Sequence, residues 1–257
     1  MEWIGRLLVF LDADMKVPQM YDWFHLTFFA ASILTGVLLC RLHVKNEARF
    51  LQRLLLVSAF LPLILEIYKQ VNYTFTYSNS KIIADYQWYS FPFQFCSTPI
   101  YVSLLACIVH KDKVRSSLCA YLATFALFAG LCVMVYPAQV FIDTIGINIQ
   151  TMVCHGTMIT VGICLLGRGY VKLENKTILR AIPVFAACVV LAAIMNDIAY
   201  LSGLLKYETF NMFFISPYCD PSLPVYSLVQ GVLPFPWCLA VYVLGFTAAA
   251  GIVLGAA

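Results

Sequence analysis

Seven apolar segments, each about 17–25 residues long, constrain this chain most, because a helix of that length can cross a bilayer. They cover residues 21–42, 54–71, 91–109, 118–136, 147–167, 179–201 and 235–254. Hydrophobic residues make up 62% of the chain and charged residues only 11%, which excludes an ordinary soluble domain. The sequence therefore predicts an all-α, polytopic membrane protein: one domain, 1–257, with seven transmembrane helices.

The basic residues are unequally divided between alternate loops. Most of the 16 Lys and Arg residues follow segments one, three and five, in residues 41–53, 111–115 and 168–180. Because cytoplasmic loops carry the excess of positive charge, this predicts an outside N-terminus and a cytoplasmic C-terminus. The chain stops directly after the last segment, so we expect a truncated tail. The amphipathic stretch 1–12 is typical of a short helix lying in the bilayer interface.

Composition also limits the partners. No basic tract is dense enough to bind nucleic acid. We expect an integral, multi-pass membrane protein. It would lie in the plasma membrane of a bacterium or in an endoplasmic-reticulum-type membrane of a eukaryote. Nine of the ten cysteines lie in or beside apolar segments, where Cys acts as a small hydrophobe, so we expect no disulfide framework. We expect no cofactor and no metal, and the sequence carries no indication of oligomeric state.

Five polar residues lie at one depth in the apolar segments. At 1.5 Å of rise per residue, each lies roughly 7–12 Å from the same-side end of its segment. Ionisable groups at such depth usually face a bundle interior or a watery cavity and mark functional sites. We therefore expect one cavity, with Asn211 and residues 213–217 over its mouth. The five residues are Glu66, Cys96, His155, Asn196 and Asp197.

Cys96 and His155 could together carry nucleophilic chemistry. A cysteine needs a base or a positive neighbour to become a thiolate, and His155 is the histidine that lies well inside a segment. Asp197 could hold the imidazole by one nitrogen, which would complete a Cys–His–acid arrangement. The alternative is that Cys96 packs as a hydrophobe and His155 is an interhelical hydrogen-bonding group. Glu66 and Lys69, three residues apart, could form an internal ion pair.

Three stretches resemble a known family. They are FPFQFCS (91–97), which is similar to a Leu-Pro-Leu-His-Leu-Cys-Ser run on a third span; the histidine early in the fifth span, His155; and ETFNMFF (208–214) with Pro217, followed by PFPW (234–237). Together with the seven-span plan, they resemble the YwaF-like integral membrane protein family, which includes transmembrane protein 164-like lipid acyltransferases. Gln94 departs from the family pattern, which has a histidine at that position.

The resemblance implies acyl transfer between phospholipids within the membrane. It implies Cys96 as the acyl-carrying nucleophile and His155 as the base, with a phospholipid or lysophospholipid as substrate and a lipase-like side reaction. Asp197 completes the predicted catalytic set. The opposing hypothesis is a non-catalytic seven-span receptor or a carrier of lipids or other small molecules. The residues expected to contact substrate are Glu66, Gln94, Asn196, Asn211 and Phe213.

Overall fold

The computed structural model describes residues 2–137, 140–205, 208–221 and 223–256. These residues form ten α-helices and one two-stranded antiparallel hairpin of β1 (Phe75–Ser78) and β2 (Lys81–Ala84). A π-helical turn, Leu122–Ala126, joins α5 to α6 without a break, and short 3-10 turns cover Trp88–Ser90 and Met212–Phe214. The helices are α1 Glu2–Leu11, α2 Trp23–Arg41, α3 Glu47–Asn72, α4 Thr98–Ile108, α5 Asp112–Tyr121, α6 Leu127–Val135, α7 Ile145–Gly167, α8 Asn175–Leu201, α9 Pro224–Val229 and α10 Phe235–Ala256.

The fold is all-α in class, as predicted. Within the described ranges, six helical stretches are long and apolar enough to cross a membrane: α2, α3, the continuous Asp112–Val135, α7, α8 and α10. The third predicted span, 91–109, is not a full transmembrane helix, because only its second part is helical. That part, α4, has 11 residues and rises about 16 Å, too little to cross a bilayer alone.

Proline explains why α4 begins late. Pro99 lies in the first turn of α4, where proline is favoured because its missing N–H has no helical partner anyway. Pro92 pushes the preceding residue toward extended backbone, and Phe91 has a φ of −48° with a ψ of 136°. Residues 91–97 therefore form an irregular stretch with turns instead of the first half of a spanning helix.

The loops that the charge distribution assigns to the outside lie at one end of the bundle. The backbone N–H of Trp88 donates to Glu208 Oε2 at 2.9 Å, which joins two of these loops. The Tyr68 hydroxyl donates to the backbone oxygen of Leu11 at 2.6 Å, so α1 is attached at the same end. The predicted stretch 1–12 thus contains a helix, and its place in the bilayer interface stays a prediction.

The opposite end is joined through Arg168, which directly follows α7. Its guanidinium contacts Glu47 at 2.5 Å and donates to the backbone oxygens of Leu39 and Leu42 at 2.8 and 2.9 Å. It thereby satisfies carbonyls at the C-terminal end of α2, where a cation is favoured. The loops after segments one and five therefore meet at one end, and the side of the membrane they face stays a prediction.

Helix α7 is the central helix of the bundle. It packs against α2, α3, α6 and the π-helical turn, whereas α8 packs mainly against α5 and α10. Glycine allows α6 and α7 to approach closely: a Cβ at Gly130 would lie 2.9 Å from the backbone oxygen of His155 and 2.9 Å from Cβ of Met158. This contact sets the position of the α7 turn that carries His155.

Candidate functional site

An open cavity of about 960 Å³ lies among the end of α3, the stretch that precedes α4, α6, α7, α10 and the segment that precedes α9. Its size suits an organic ligand or part of a lipid. Aromatic and aliphatic side chains line most of it, with a small number of polar groups converging from different elements. The polar lining includes Lys69, Gln94, Cys96, His155, Asn211 and Asp220.

Cys96 lies in the turn that immediately precedes α4. The backbone N–H groups of Ser97 and Thr98 both donate to the backbone oxygen of Gln94, at 2.9 and 3.2 Å. The Thr98 hydroxyl donates to the backbone oxygen of Phe95 at 2.8 Å and so satisfies a carbonyl on this turn. The turn holds the half-buried thiol at the cavity wall, beside a helix N-terminus, which favours a negative group.

His155 is held in one orientation by its own helix. Nδ1 lies 2.7 Å from the backbone oxygen of Thr151, one turn earlier on α7. Because a carbonyl oxygen only accepts hydrogen bonds, Nδ1 carries the proton and Nε2 of the neutral ring is the acceptor. Nε2 is buried and has no hydrogen-bond partner within the described ranges, and the residue lines the cavity with Cys96. The imidazole can therefore accept a proton there.

Lys69 brings a positive charge to the same cavity. Its ammonium lies 2.7 Å from Oε1 of Glu66, a residue that is only 4% exposed. The carboxylate also accepts hydrogen bonds from Gln70 Nε2 at 2.9 Å and from Gln150 Nε2 at 3.4 Å. The ion pair that the sequence suggested is thus present. Glu66 holds Lys69 at the cavity wall without lining the cavity itself.

Two side-chain amides hold the segment 211–213 by its backbone. Gln94 donates to the oxygen of Asn211 at 3.1 Å and accepts from the N–H of Phe213 at 3.0 Å. Asn196 donates to the oxygen of Met212 at 3.1 Å and accepts from its N–H at 2.8 Å. Each amide uses its nitrogen and its oxygen on the backbone. Gln94 and Asn196 are therefore positioning residues for this segment.

The held segment has an unusual backbone. Phe213 and Phe214 have φ values of 58° and 57°, in the left-handed region that bulky residues rarely adopt. The Tyr242 hydroxyl donates to the backbone oxygen of Phe213 at 3.0 Å, which adds a further restraint. Asn211 accepts from the N–H of Ser216 through Oδ1 at 2.9 Å and lines the cavity. Strain of this kind tends to accumulate at functional sites.

Four of the predicted site residues lie away from the cavity. Glu66 is behind Lys69, Asn196 is under the backbone of Met212, and Phe213 is fully buried among aromatic rings while its neighbour Phe214 lines the cavity. The fourth is Asp197. Cys96, His155, Gln94 and Asn211 do line one cavity. Of the expected cover, Asn211 and Phe214 contribute to the cavity wall, and their place over its mouth stays a prediction.

Asp197 does not meet His155, because α8 packs against α5 and α10 instead of α7. Its carboxylate contacts Tyr218. Desolvation, followed by the hydrogen bond that Asp197 accepts, raises the pKa of the Tyr218 hydroxyl. Asp197 thus does not hold the imidazole as predicted, and the group that orients His155 is the Thr151 carbonyl.

Two contributions to the site were not assigned from the sequence. Lys69 was predicted as the partner of Glu66 and not as a residue of the site, although a lysine inside an apolar segment is itself a sign of a functional position. The Thr151 carbonyl gives no sequence signal, because every residue has a backbone oxygen. The cavity also exposes two further thiols, Cys132 and Cys219. Within the described ranges, no three His, Cys, Asp or Glu side chains are grouped to hold a metal ion.

A protein-family model described as the TMEM164 family matches residues 18–254. The match includes every cavity residue named above and the six candidate spans, except for the last residue of the span Phe235–Gly255. No curated protein and no solved structure matches the chain.

Proposed function

We propose, since this chain belongs to the TMEM164 family and is an integral multi-pass membrane protein, that it transfers acyl groups between phospholipids. One observation carries the proposal: the Cys96 thiol and a His155 imidazole with an unpartnered Nε2 line the same cavity. Acyl transfer by covalent catalysis requires a nucleophile and an oriented base. Nε2 makes no hydrogen bond to the thiol in this structure, and the proposal requires the two groups to come together when substrate binds.

In the first half-reaction, Nε2 of His155 accepts the proton of the Cys96 thiol. The sulfur attacks the ester carbonyl carbon of a phospholipid, and a tetrahedral oxyanion forms. The C–O bond to the glycerol oxygen then breaks, and the departing oxygen takes the proton from His155 Nε2. The products are an acyl thioester on Cys96 and a lysophospholipid.

In the second half-reaction, the hydroxyl of an acceptor lysophospholipid gives its proton to Nε2 of His155. Its oxygen attacks the thioester carbonyl, the C–S bond breaks, and the sulfur recovers the proton from the imidazole. Atoms and charge balance over the cycle, and no cofactor is needed. Attack by water in place of the lysophospholipid gives the lipase-like side reaction.

Lys69 and Asn211 supply the positive charge and the donor that this chemistry needs. The ammonium of Lys69 would attract the phosphate of the substrate or stabilise the oxyanion, because charge stabilisation is strong in a water-poor site. The Asn211 amide nitrogen is a further donor at the cavity wall, since its oxygen is already bonded to Ser216. Binding a headgroup near Lys69 would bring the ester carbonyls toward Cys96.

A lipid or small-molecule carrier, or a receptor, is the second candidate. The observation that favours it is the cavity itself, which is large enough to hold a ligand whether or not chemistry follows. In that case Cys96 would be one of three thiols in the wall, and no acyl group would leave the bound lipid.

Lipid turnover by the purified protein in liposomes separates these functions. Cys96→Ser should abolish the transfer of an isotopically labelled acyl group to a lysophospholipid. Cys132→Ser is the matched control, because Cys132 lines the same cavity. Retained transfer in Cys96→Ser, with both variants folded, would refute the thioester mechanism and leave the carrier or receptor.

A further inference from the structure

A second cavity of about 250 Å³ adjoins the first along α10. The two share the side chains of Phe128, Leu223, Tyr242 and Phe246, so they meet at these residues. We call the second cavity the α10 branch. It is lined almost entirely by apolar and aromatic side chains, whereas the main cavity contains the polar groups of the site.

The polar atoms in the α10 branch are already engaged. The Tyr226 hydroxyl donates to the backbone oxygen of Ile215 at 3.2 Å, and the Tyr242 hydroxyl donates to that of Phe213 at 3.0 Å. Both phenols therefore present ring carbons to the branch. A ligand part that needs hydrogen bonds would find no partner there, whereas a methylene chain needs none.

Small residues provide the space. Gly245 and Ala249 are four residues apart on α10, so they lie on one face of the helix. A Cβ added at Gly245 would have no heavy atom within 4 Å. From Val241 to Ala249 the branch follows α10 over roughly 12 Å at 1.5 Å per residue.

We propose that the α10 branch holds the acyl chain of the group that Cys96 accepts, and that Gly245 and Ala249 set the length of chain that fits. This proposal rests on the acyltransferase function above. The headgroup and ester occupy the polar main cavity, and the chain runs past Phe128 and Phe246 into the branch. Because a chain longer than the remaining space would have to displace packed side chains, filling the branch shifts the preferred chain length.

Substitution on α10 tests the proposal. Gly245→Leu and Ala249→Leu place a larger side chain in the branch. Gly251→Leu is the matched control, because Gly251 is on the same helix, is not in the branch wall and also has open space around its Cβ position. Each variant is given a mixture of phospholipids that differ only in the length of the transferred chain.

We expect Gly245→Leu to transfer short chains at the unsubstituted protein's rate and long chains progressively more slowly, so that the chain length of fastest transfer becomes shorter. Gly251→Leu should keep the original chain-length profile. An unchanged profile in both branch variants, or a rate loss that is equal for every chain length, would overturn the proposal.

A binding experiment separates failure of the branch from failure of the chemistry. A phospholipid with a photoactivatable group at the end of its acyl chain is irradiated with the Cys96→Ser variant, and the labelled residues are identified by mass spectrometry. The proposal is supported if labelling of residues 241–249 is saturable, is prevented by Gly245→Leu and is unaffected by Gly251→Leu. This result would support the branch even if no turnover is found. Labelling that never saturates and ignores Gly245→Leu would show bulk lipid only and refute it.

Discussion

His155 donates from Nδ1 to the backbone oxygen of Thr151 over 2.7 Å, one turn earlier on the same helix. The bond leaves Nε2 as the basic nitrogen, and Nε2 has no partner in the described part of the chain. A main-chain carbonyl thus has the orienting role that an acidic side chain has in a Ser–His–Asp triad. Because the bond lies within α7, it depends on no contact with another helix.

This relationship predicts that Asp197→Asn leaves the rate of acyl transfer nearly unchanged. Amidation of the acid in a true triad costs roughly 10⁴-fold in rate. His155→Gln, in contrast, removes the base and should slow transfer by about 10²–10⁴-fold. Initial rates in liposomes measure both variants. A loss in Asp197→Asn as large as that in His155→Gln would contradict the assignment of the Thr151 carbonyl.

The pair of Lys69 and Glu66 predicts a rescue of stability without a rescue of activity. Lys69→Met leaves a buried carboxylate without its cation and should lower the free energy of unfolding by about 3 kcal/mol. Adding Glu66→Gln removes that charge and should restore most of the thermal stability. Transfer should stay low in the double variant, because the cation is still missing. Full activity in the double variant would limit Lys69 to a structural role.

The three thiols of the cavity predict an order of reactivity. Cys132 is more exposed than Cys96, so access alone would favour Cys132. A thiolate is needed for fast alkylation, and the base faces Cys96 in the proposed mechanism. A lipid-tailed alkylating probe should therefore modify Cys96 before Cys132 and Cys219, and His155→Gln should remove this preference. Peptide mass spectrometry gives the order, and Cys132 reacting first in the unsubstituted protein would count against an activated Cys96.

The close approach of α6 and α7 predicts sensitivity at Gly130. Gly130→Ala places a methyl group 2.9 Å from the backbone oxygen of His155, and a backbone atom cannot move aside alone. We expect a loss of about 1–3 kcal/mol in unfolding free energy, with reduced transfer because the histidine is displaced. Gly251→Ala, which has open space around it, is the control for thermal unfolding and activity. Equal behaviour of the two variants would show that this approach does not position His155.

The depth of a polar residue within its apolar segment was the sequence signal that selected Cys96 and His155. Cys96 and His155 were paired from their distances to the segment ends, and the structure brings them to one cavity. Asn196 and Asp197 show that depth in the membrane does not specify the direction in which a side chain points from its helix. They are adjacent on α8, about 100° apart around the helix, and the rotation of α8 depends on which helices it packs against. Because apolar residues lie on all sides of α8, its hydropathy pattern does not predict how the helix is rotated about its own axis.

Hydropathy also overlooked the break in the third apolar segment. Residues 91–97 are apolar enough for a span, but Pro92 and Pro99 prevent a continuous helix, so α4 begins at Thr98. The same break places Cys96 on a turn, where Gln94 can reach the backbone of Asn211 and Phe213. Gln94 was predicted to contact substrate, and its role in holding this segment was missed because a side-chain amide gives no sign of which backbone it will contact.

The central claim is that an acyl group resides on Cys96, and trapping that species tests it most directly. The protein in liposomes of a labelled phospholipid, without lysophospholipid, is quenched with acid and digested, and its peptides are analysed by mass spectrometry. We predict one acyl group on the peptide that contains Cys96, sensitive to neutral hydroxylamine as a thioester is, and absent in His155→Gln. Turnover of the lipid with the acyl group on another residue, or with no covalent acyl group at all, would contradict the account.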